Sequence, residues 1–385
     1  MRMNDKRTRL TAGIVLCFVW VMICAGCGSG SSGGISKEDS GGSVTDTTAV
    51  KTVGTSASRG DEFAEKRSST LTTTLNSDNQ LTFTTQGDTI TVSGISVGYP
   101  VRNIYVVSAT ADITGRHAQK AFSLTQTGET IQGSLTYKPP KSAKKFMLVV
   151  EHEQGGDPCY IIKYAATKSD SAGFYFPDNG LAEKNAAVMQ KIRNVPAVAA
   201  QLYIDANGDD ITIRDTLAEV RKLGESITKG HTTDYDKAHA ISKWVSENIY
   251  YDNSAKNNSV TAETISLSGV LNTRRTICYG FSNLTAAICQ SVGIKAVCID
   301  GVSQYFENYE NLLTGGELHN NTAYFDDELG RYVIMDAGWD CYNEYNGEYI
   351  RTPAIDYYFD GSPLFYSFSH RFTEASYIDF FGALE

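Results

Sequence analysis

At 385 residues the chain has room for two or three domains, and its 41% apolar and 20% charged residues are the balance of a chain that folds around a core. A formal net charge of −10, with no basic stripe after the N-terminus, argues against nucleic acid as a partner, because a phosphate backbone needs a basic surface.

In chain order, Arg2, Lys6, Arg7 and Arg9 precede an apolar run over 11–23, the length of a secretory signal core and short for a bilayer crossing. Cys24-Ala25-Gly26-Cys27 follows. Small residues ahead of a cysteine resemble a bacterial lipoprotein cleavage box, although Cys24 stands where leucine is usual. Residues 1–27 are therefore read as a lipoprotein-type signal peptide with Cys27 as the lipidated residue, the alternative being plain secretion after cleavage nearby. Residues 28–70 are rich in Gly, Ser and Thr, bury too little apolar surface to fold, and read as a flexible linker. The expected location is the extracytoplasmic face of a bacterial membrane, held by the lipid. Beyond the leader five cysteines remain, Cys159, Cys278, Cys289, Cys298 and Cys341; an odd number leaves at least one unpaired within the chain.

Residues 71–170 read as β-structure. Leu81-Thr82-Phe83-Thr84 and Ile90-Thr91-Val92 alternate around the turn Gln86-Gly87-Asp88, and the runs at 103–107, 131–137, 146–150 and 160–164 continue the series. Short strands with turn signals between them predict an antiparallel β-sandwich, immunoglobulin-like, with no chemistry of its own. His117 and His152 have no partners at metal-ligand spacing.

Helical patterning starts after Pro177-Asp178-Asn179-Gly180 and covers 181–193. Leu202-Tyr203-Ile204 and Ile211-Thr212-Ile213 flank an acidic run over 205–210 whose glycine comes too early for an EF-hand and which no glutamate closes. A hairpin or loop turn is expected there, then a helix over 214–228 and another from a Thr233 N-cap to Ile249, with Ala238, Ile241 and Val245 as its core stripe.

After the irregular Thr273-Arg274-Arg275-Thr276-Ile277, the residues Phe281, Leu284, Thr285, Ile288 and Cys289 recur at helical spacing. Cys278 thus falls in a helix's first turn, where unpaired N–H groups and the positive end of the dipole favour a thiolate. The alternative is a buried structural cysteine. A strand over 294–300 and a long cleft-lining loop over 301–318 follow. Two strands, 319–325 and 331–336, then flank the turn residues Asp326-Asp327-Glu328-Leu329-Gly330. A turn centred between Asp327 and Glu328 sets His319 directly opposite Asp336, with Cβ atoms about 4.5–5.5 Å apart. Their face carries Ala323, Phe325, Tyr332 and Ile334 and looks inward. A carboxylate in that position fixes the imidazole tautomer and stabilises the imidazolium, which can hold a cysteine as thiolate. A structural ion pair at a sheet edge is the alternative.

Cys278, His319 and Asp336, in that order, resemble the nucleophile, base and orienter of the transglutaminase-like superfamily, relatives of papain-type cysteine proteases. Cys278-Tyr279-Gly280-Phe281 leading to Val292-Gly293-Ile294 is similar to the family's nucleophile helix, and Asp336-Ala337-Gly338-Trp339 to its Asp-x-x-Trp. The helix before Tyr250-Tyr251-Asp252 resembles the element ahead of the cysteine. Asp356-Tyr357-Tyr358-Phe359 and Ser369-His370-Arg371-Phe372 resemble the closing segment of bacterial members. Asn321 departs from the pattern, standing where many members carry an aromatic residue. The resemblance implies an α+β fold, with the N-terminal sandwich followed by a transglutaminase-like, papain-like domain over 181–385. It also implies acyl transfer through a thioester. Cys278 would attack an amide, His319 would act as base and acid, and Asp336 would orient it. The Cys278 N–H at the helix start is one expected oxyanion donor; the resemblance names no second, for which Tyr251 is the candidate. The expected partner is a peptide or protein substrate, cell-wall peptide included, with no cofactor and no metal. Hydrolysis ranks ahead of glutamine–lysine transfer, and both ahead of a non-catalytic binding module. His231, His239 and His370 are assigned to structure.

Overall fold

The computed structural model describes residues 66–382, apart from 77–78, 97–100, 109–119, 141–142, 144, 155–156, 170–172, 179, 208, 258–259, 305–311 and 313–314. The expected leader, most of the linker and Cys27 lie outside the described residues. No helix among the described residues is long and apolar enough to cross a membrane.

Residues 66–178 form β1 (Lys66–Ser68), β2 (Thr70–Asn76), β3 (Asn79–Gln86), β4 (Thr89–Ile95), β5 (Val101–Ser108), β6 (Lys120–Ala121), β7 (Ser123–Thr127), β8 (Thr130–Thr136), β9 (Lys145–Gln154), β10 (Asp157–Ser169) and β11 (Gly173–Asp178). One sheet runs β2-β3-β4-β8-β7 and the other β1-β11-β10-β9-β5-β6, with antiparallel pairing in both. The alternation read from sequence is what buries Leu81, Phe83, Ile90, Val92, Ile131 and Leu135 against Ile104, Val106, Phe146, Leu148 and Val150 of the facing sheet. β1 and β11 carry the second sheet past the expected bounds of 71–170 on both sides.

β9 differs from the other strands in being an unbroken apolar run, Phe146 to Val150, the mark of a strand covered on both faces. Its Met147, with Val107 of β5, faces away from the sandwich core and packs with Val188, Met189, Phe365, Tyr366 and Phe368 of the C-terminal half. Burying each such side chain contributes ~1.5–3 kcal/mol, so the outer face of the second sheet is part of the C-terminal core and not a detached spacer.

The C-terminal half is built on β12 (Ala197–Val198), β13 (Tyr250–Asp252), β14 (Arg275–Thr276), β15 (Val297–Ser303), β16 (Glu317–Asp326), β17 (Arg331–Met335), β18 (Glu344–Tyr345), β19 (Tyr349–Ile350) and β20 (His370–Ile378). Its main sheet has the order β12-β20-β15-β16-β17, and a smaller one the order β14-β13-β18-β19. Helix Cys278–Ser291 lies against the main sheet between helices Asp210–Ile227 and Asp234–Asn248, and every residue from Cys278 to Cys289 is buried. Thr233 caps the Asp234–Asn248 helix by accepting the Asp236 N–H, as the sequence predicts.

Three expectations are corrected. Of the two readings of 202–213, the hairpin fails and the loop turn holds: Gln201–Ile204 is a short helix, bends follow at 206–207, and Asp209 accepts the Thr212 N–H to start a helix at Asp210, four residues early. The acidic run holds a helix cap because Asp209 precedes Ile213, Leu217 and Val220 at helical spacing. The 181–193 helix ends at Met189 and passes into a 3₁₀ turn, Ile192–Asn194. The loop after β15 begins beyond Ser303 and ends at Glu317, because pairing of Gly301 with His319 and Ser303 with Glu317 extends both strands into it.

Candidate active site

Two strands aim the cysteine. β14 pairs in parallel with β13, Tyr251 opposite Thr276, and Thr276 Oγ1 donates to the Thr264 carbonyl. The chain then turns into helix Cys278–Ser291 at Ile277, which is extended and offers no side-chain cap. Gly280 allows this tight entry, since a Cβ there would meet Thr276 Oγ1 at 1.8 Å. One turn into the helix, Ser282 Oγ donates to the Asn321 carbonyl of β16 at 2.7 Å. That pin brings Cys278 beside the start of β16, its Sγ 4.0 Å from the Leu318 carbonyl. Cys278 keeps 8% of its surface exposed.

His319 and Asp336 meet, but not by the register expected. β16 and β17 pair Thr322 with Met335 and Ala323 with Ile334, a slip of two residues. A slip of two preserves side-chain parity, so both groups still leave the same face. Asp336 has also left the ladder: its N–H donates to the Tyr358 carbonyl and its Oδ1 accepts from Trp339 N as the cap of the turn Ala337–Asp340. Its Oδ2 reaches His319 Nε2 at 2.6 Å. Both groups are buried, His319 at 6% and Asp336 at 2% exposure.

Asp336 Oδ2 has a second imidazole on it, His370 Nε2 at 3.0 Å. His370 belongs to β20, two strands from β16 in the sheet. Gly301 of β15 lies between them, opposite His319 on one side and Phe372 on the other. With no side chain over the central strand, the two imidazoles approach to 5.0 Å between centroids. Trp339 closes over both rings, at 5.9 Å from His319 and 4.7 Å from His370.

Burial alone would push the His319 ring toward neutrality. The charge and hydrogen bond of Asp336 outweigh it, helped by a hydrogen bond and charge from Cys278, and raise the ring to about 10. With Nε2 taken by Asp336, Nδ1 is the nitrogen left for the sulfur. Burial likewise opposes the ionised Asp336, but the His319 charge and hydrogen bond and the His370 hydrogen bond hold its carboxyl well below the usual carboxylate range. His370 goes the other way: burial, abetted by the His319 charge, outweighs its bond to Asp336 and lowers it to about 4, so it is neutral at pH 7.

Tyr251 stacks on Phe281 at 6.1 Å, and its hydroxyl takes a hydrogen bond from the Cys278 N–H. Burial, then the neighbouring Cys278, Glu317 and Asp336 charges, raise the phenol, so it is un-ionised and able to donate. Burial pushes Cys298 and Cys341 up to about 12 and raises Cys289 as well, which makes all three inert. Cys278, Cys289, Cys298 and Cys341 are all free of disulfides; the Cys159 side chain lies outside the described residues. Asn321 is 3% exposed and its Nδ2 has no hydrogen-bond partner among the described residues. His239 is remote in its bonding, with Nε2 on Asp356 at 2.9 Å. His319, Asp336 and His370 offer ligand atoms within 4.8 Å of one another, the geometry of a three-ligand metal site. Both imidazoles, however, aim N–H groups at the shared carboxylate, so the set as it stands is satisfied by its own hydrogen bonds.

The sequence assigned His370 to structure. Strand parity finds His319 and Asp336 because they sit on one hairpin; His370 reaches them through pairing of β20 with β15, about which the local pattern is silent.

Two curated proteins are similar to part of the chain. Kyphoscoliosis peptidase of Mus musculus is 25% identical over 138 residues, 35% of this chain and 20% of that protein, and kyphoscoliosis peptidase of Homo sapiens is 24% identical over 138 residues, with the same shares. The chain thus spans about a fifth of the length of these relatives. A solved structure of a TGase is 16% identical, covering 59% of this chain and 46% of its own, with a TM-score of 0.27. The stretch that carries Cys278, His319 and Asp336 lies within residues 221–337, and that stretch is transglutaminase-like, matching the model of the Transglutaminase-like superfamily.

Proposed function

We propose that the chain is an exported cysteine peptidase or amidase that cleaves protein or wall-peptide amides through Cys278, His319 and Asp336. The observation that carries this reading is the 2.6 Å contact of His319 Nε2 with a buried Asp336, with Cys278 at a helix tip hydrogen-bonded to the same ring. Cys278 Sγ adds to the substrate carbonyl, and the oxygen that gains charge enters between the Cys278 N–H and the Tyr251 hydroxyl. His319, as imidazolium, gives its proton to the leaving amine, and a thioester remains on Cys278. Water then attacks with His319 as base, and the acid product leaves with the thiol restored. Asp336 keeps the ring's Nε2–H pointed away from sulfur throughout.

The N-terminal reading completes the proposal: a lipid on Cys27 tethers the enzyme to the extracytoplasmic face of a bacterial membrane. The sandwich is immunoglobulin-like, a reading supported by the order β3-β4-β8-β7 facing β5-β9-β10, which follows the A-B-E-D and C-F-G arrangement of that fold.

Limiting iodoacetamide at pH 7, with peptide mapping by mass spectrometry, tests the nucleophile. Cys278 should label far ahead of Cys289, Cys298 and Cys341, and His319→Ala should slow it. Equal labelling of the four would sink the proposal and favour a binding module. Incubation with glutamine- and lysine-bearing peptides then separates outcomes: cleaved peptide supports hydrolysis, whereas ammonia with a cross-linked product means that an amine replaces water.

A further inference from the structure

The carboxylate that steadies His319 is itself held by a second arm, and the direction of every bond in that arm can be worked out. His370 Nε2 lies 3.0 Å from Asp336 Oδ2, so Nε2 must carry the hydrogen; a bare nitrogen there would face a bare oxygen. In a neutral ring Nδ1 is then the acceptor, and its partner at 2.8 Å is Ser369 Oγ, which must donate. The Ser369 hydroxyl thereby spends its only proton on His370. The chain runs one way, from Ser369 to His370 to Asp336, and ends on the oxygen that also receives the His319 N–H. Chains of aligned donors polarise one another in a dry interior.

We propose that His370 is a positioning residue: a second donor, fed by Ser369, that pins Asp336 Oδ2 on His319 Nε2. The proposal rests on the triad reading above. The other polar and charged groups facing His370 are consistent with it. β16 supplies His319, the turn after β17 supplies Asp336, and the segment before β20 supplies Tyr358 and Tyr366, both phenols raised by burial and hence uncharged. The first helix, Leu181–Met189, supplies Asn185, which donates to the His370 carbonyl and accepts the Phe372 N–H, so the backbone of His370 is fixed independently of its ring. Around the ring, Trp339, Tyr366 and Phe372 pack at 4.7, 5.0 and 6.3 Å. A residue placed there for packing alone would need no nitrogen; this one uses both.

Because His370 touches neither sulfur nor substrate, its effect must appear through His319. The full chain is labelled with iodoacetamide from pH 4 to 10 and the Cys278 rate is plotted against pH for wild type, His319→Ala, His370→Phe and His370→Gln. Phe keeps an aromatic ring among Trp339, Tyr366 and Phe372 and removes the donor; Gln restores an N–H in its place. With Asp336 free to turn, the imidazolium is held less firmly, and the rising limb for His370→Phe should move about one pH unit toward alkali. That is about tenfold less labelling on the limb. His370→Gln should recover to within threefold of wild type. An unmoved or acid-shifted limb in His370→Phe, with His319→Ala clearly shifted, overturns the proposal and leaves the triad reading standing. An unshifted His319→Ala limb sinks the triad reading and this proposal together. Should His370→Phe fail to fold, Ser369→Ala carries the test: it leaves the ring and removes the donor to Nδ1, an alkaline shift of about threefold in rate supports the proposal, and no shift overturns it.

Discussion

Replacing Asp336 by Asn removes one charge and almost no volume, and the consequences can be worked from the contacts. The carboxylate accepts three N–H groups: Trp339 N on Oδ1, and His319 Nε2 and His370 Nε2 on Oδ2. The carboxamide can keep the Trp339 bond with its oxygen. Its NH2 then meets two ring nitrogens that both carry hydrogen, so His319 must move its proton to Nδ1, the side that faces Cys278, and the base is lost. The energy at stake is that of lifting an imidazole from 6.5 to about 10, about 5 kcal/mol at ~1.4 kcal/mol per pH unit. An ordinary thiol, with pKa ~8.5, is only ~3% ionised at pH 7, so losing the imidazolium partner can cost up to about thirtyfold in thiolate. Iodoacetamide labelling of Cys278 in Asp336→Asn at pH 7 should therefore fall about tenfold to thirtyfold, with the circular-dichroism spectrum unchanged. A folded variant labelled within threefold of wild type would refute the claim that Asp336 sets the charge state of His319.

Three further outcomes follow from the same geometry. Stability should depend on pH with opposite signs on the two sides of neutrality. The folded His370 value of about 4 lies below the ordinary 6.5, so between these values the unfolded chain binds a proton that the folded chain refuses, and about 3 kcal/mol of stability is lost as pH falls from 6.5 to 4. The His319 contribution is whole below pH 6.5 and fades as pH rises through about 10; urea midpoints across pH 4–10 read both, and His370→Phe should flatten the acid side. Tyr251→Phe should lower amide hydrolysis about a hundredfold while leaving Cys278 alkylation within threefold, since alkylation develops no oxyanion; an equal loss in both assays would place Tyr251 outside that role. Gly280→Ala should cost about 1–3 kcal/mol in thermal unfolding, because its Cβ would stand 1.8 Å from Thr276 Oγ1 and the helix tip must shift; an unchanged melting temperature with unchanged labelling would show that Thr276 yields freely.

What the chain declares locally, it declares well. The threonine alternation of β3 and β4, the Thr233 cap, the helix that begins at Cys278 and the parity that puts His319 and Asp336 on one face all depend on neighbours within about twenty residues, where periodicity and capping chemistry act directly. Parity survives a slip of two, which is why the shared face was legible while the register was not: hydrophobic alternation is blind to an even displacement, and the departure of Asp336 from the ladder is fixed by Tyr358, a distant residue. The apolar run of β9 reads locally as one more sandwich strand, and only the packing of Met147 against the C-terminal half shows that its outer face is covered too. His370 is the extreme case. No local period or turn gives it a partner, and it acquires a role through β20 pairing with β15, through the missing side chain of Gly301, and through the second lone pair of one carboxylate oxygen. Sequence fixes which residues can meet across a turn or along a helix; tertiary structure chooses among meetings far apart in the chain, because that choice is made by long-range packing that no local period encodes.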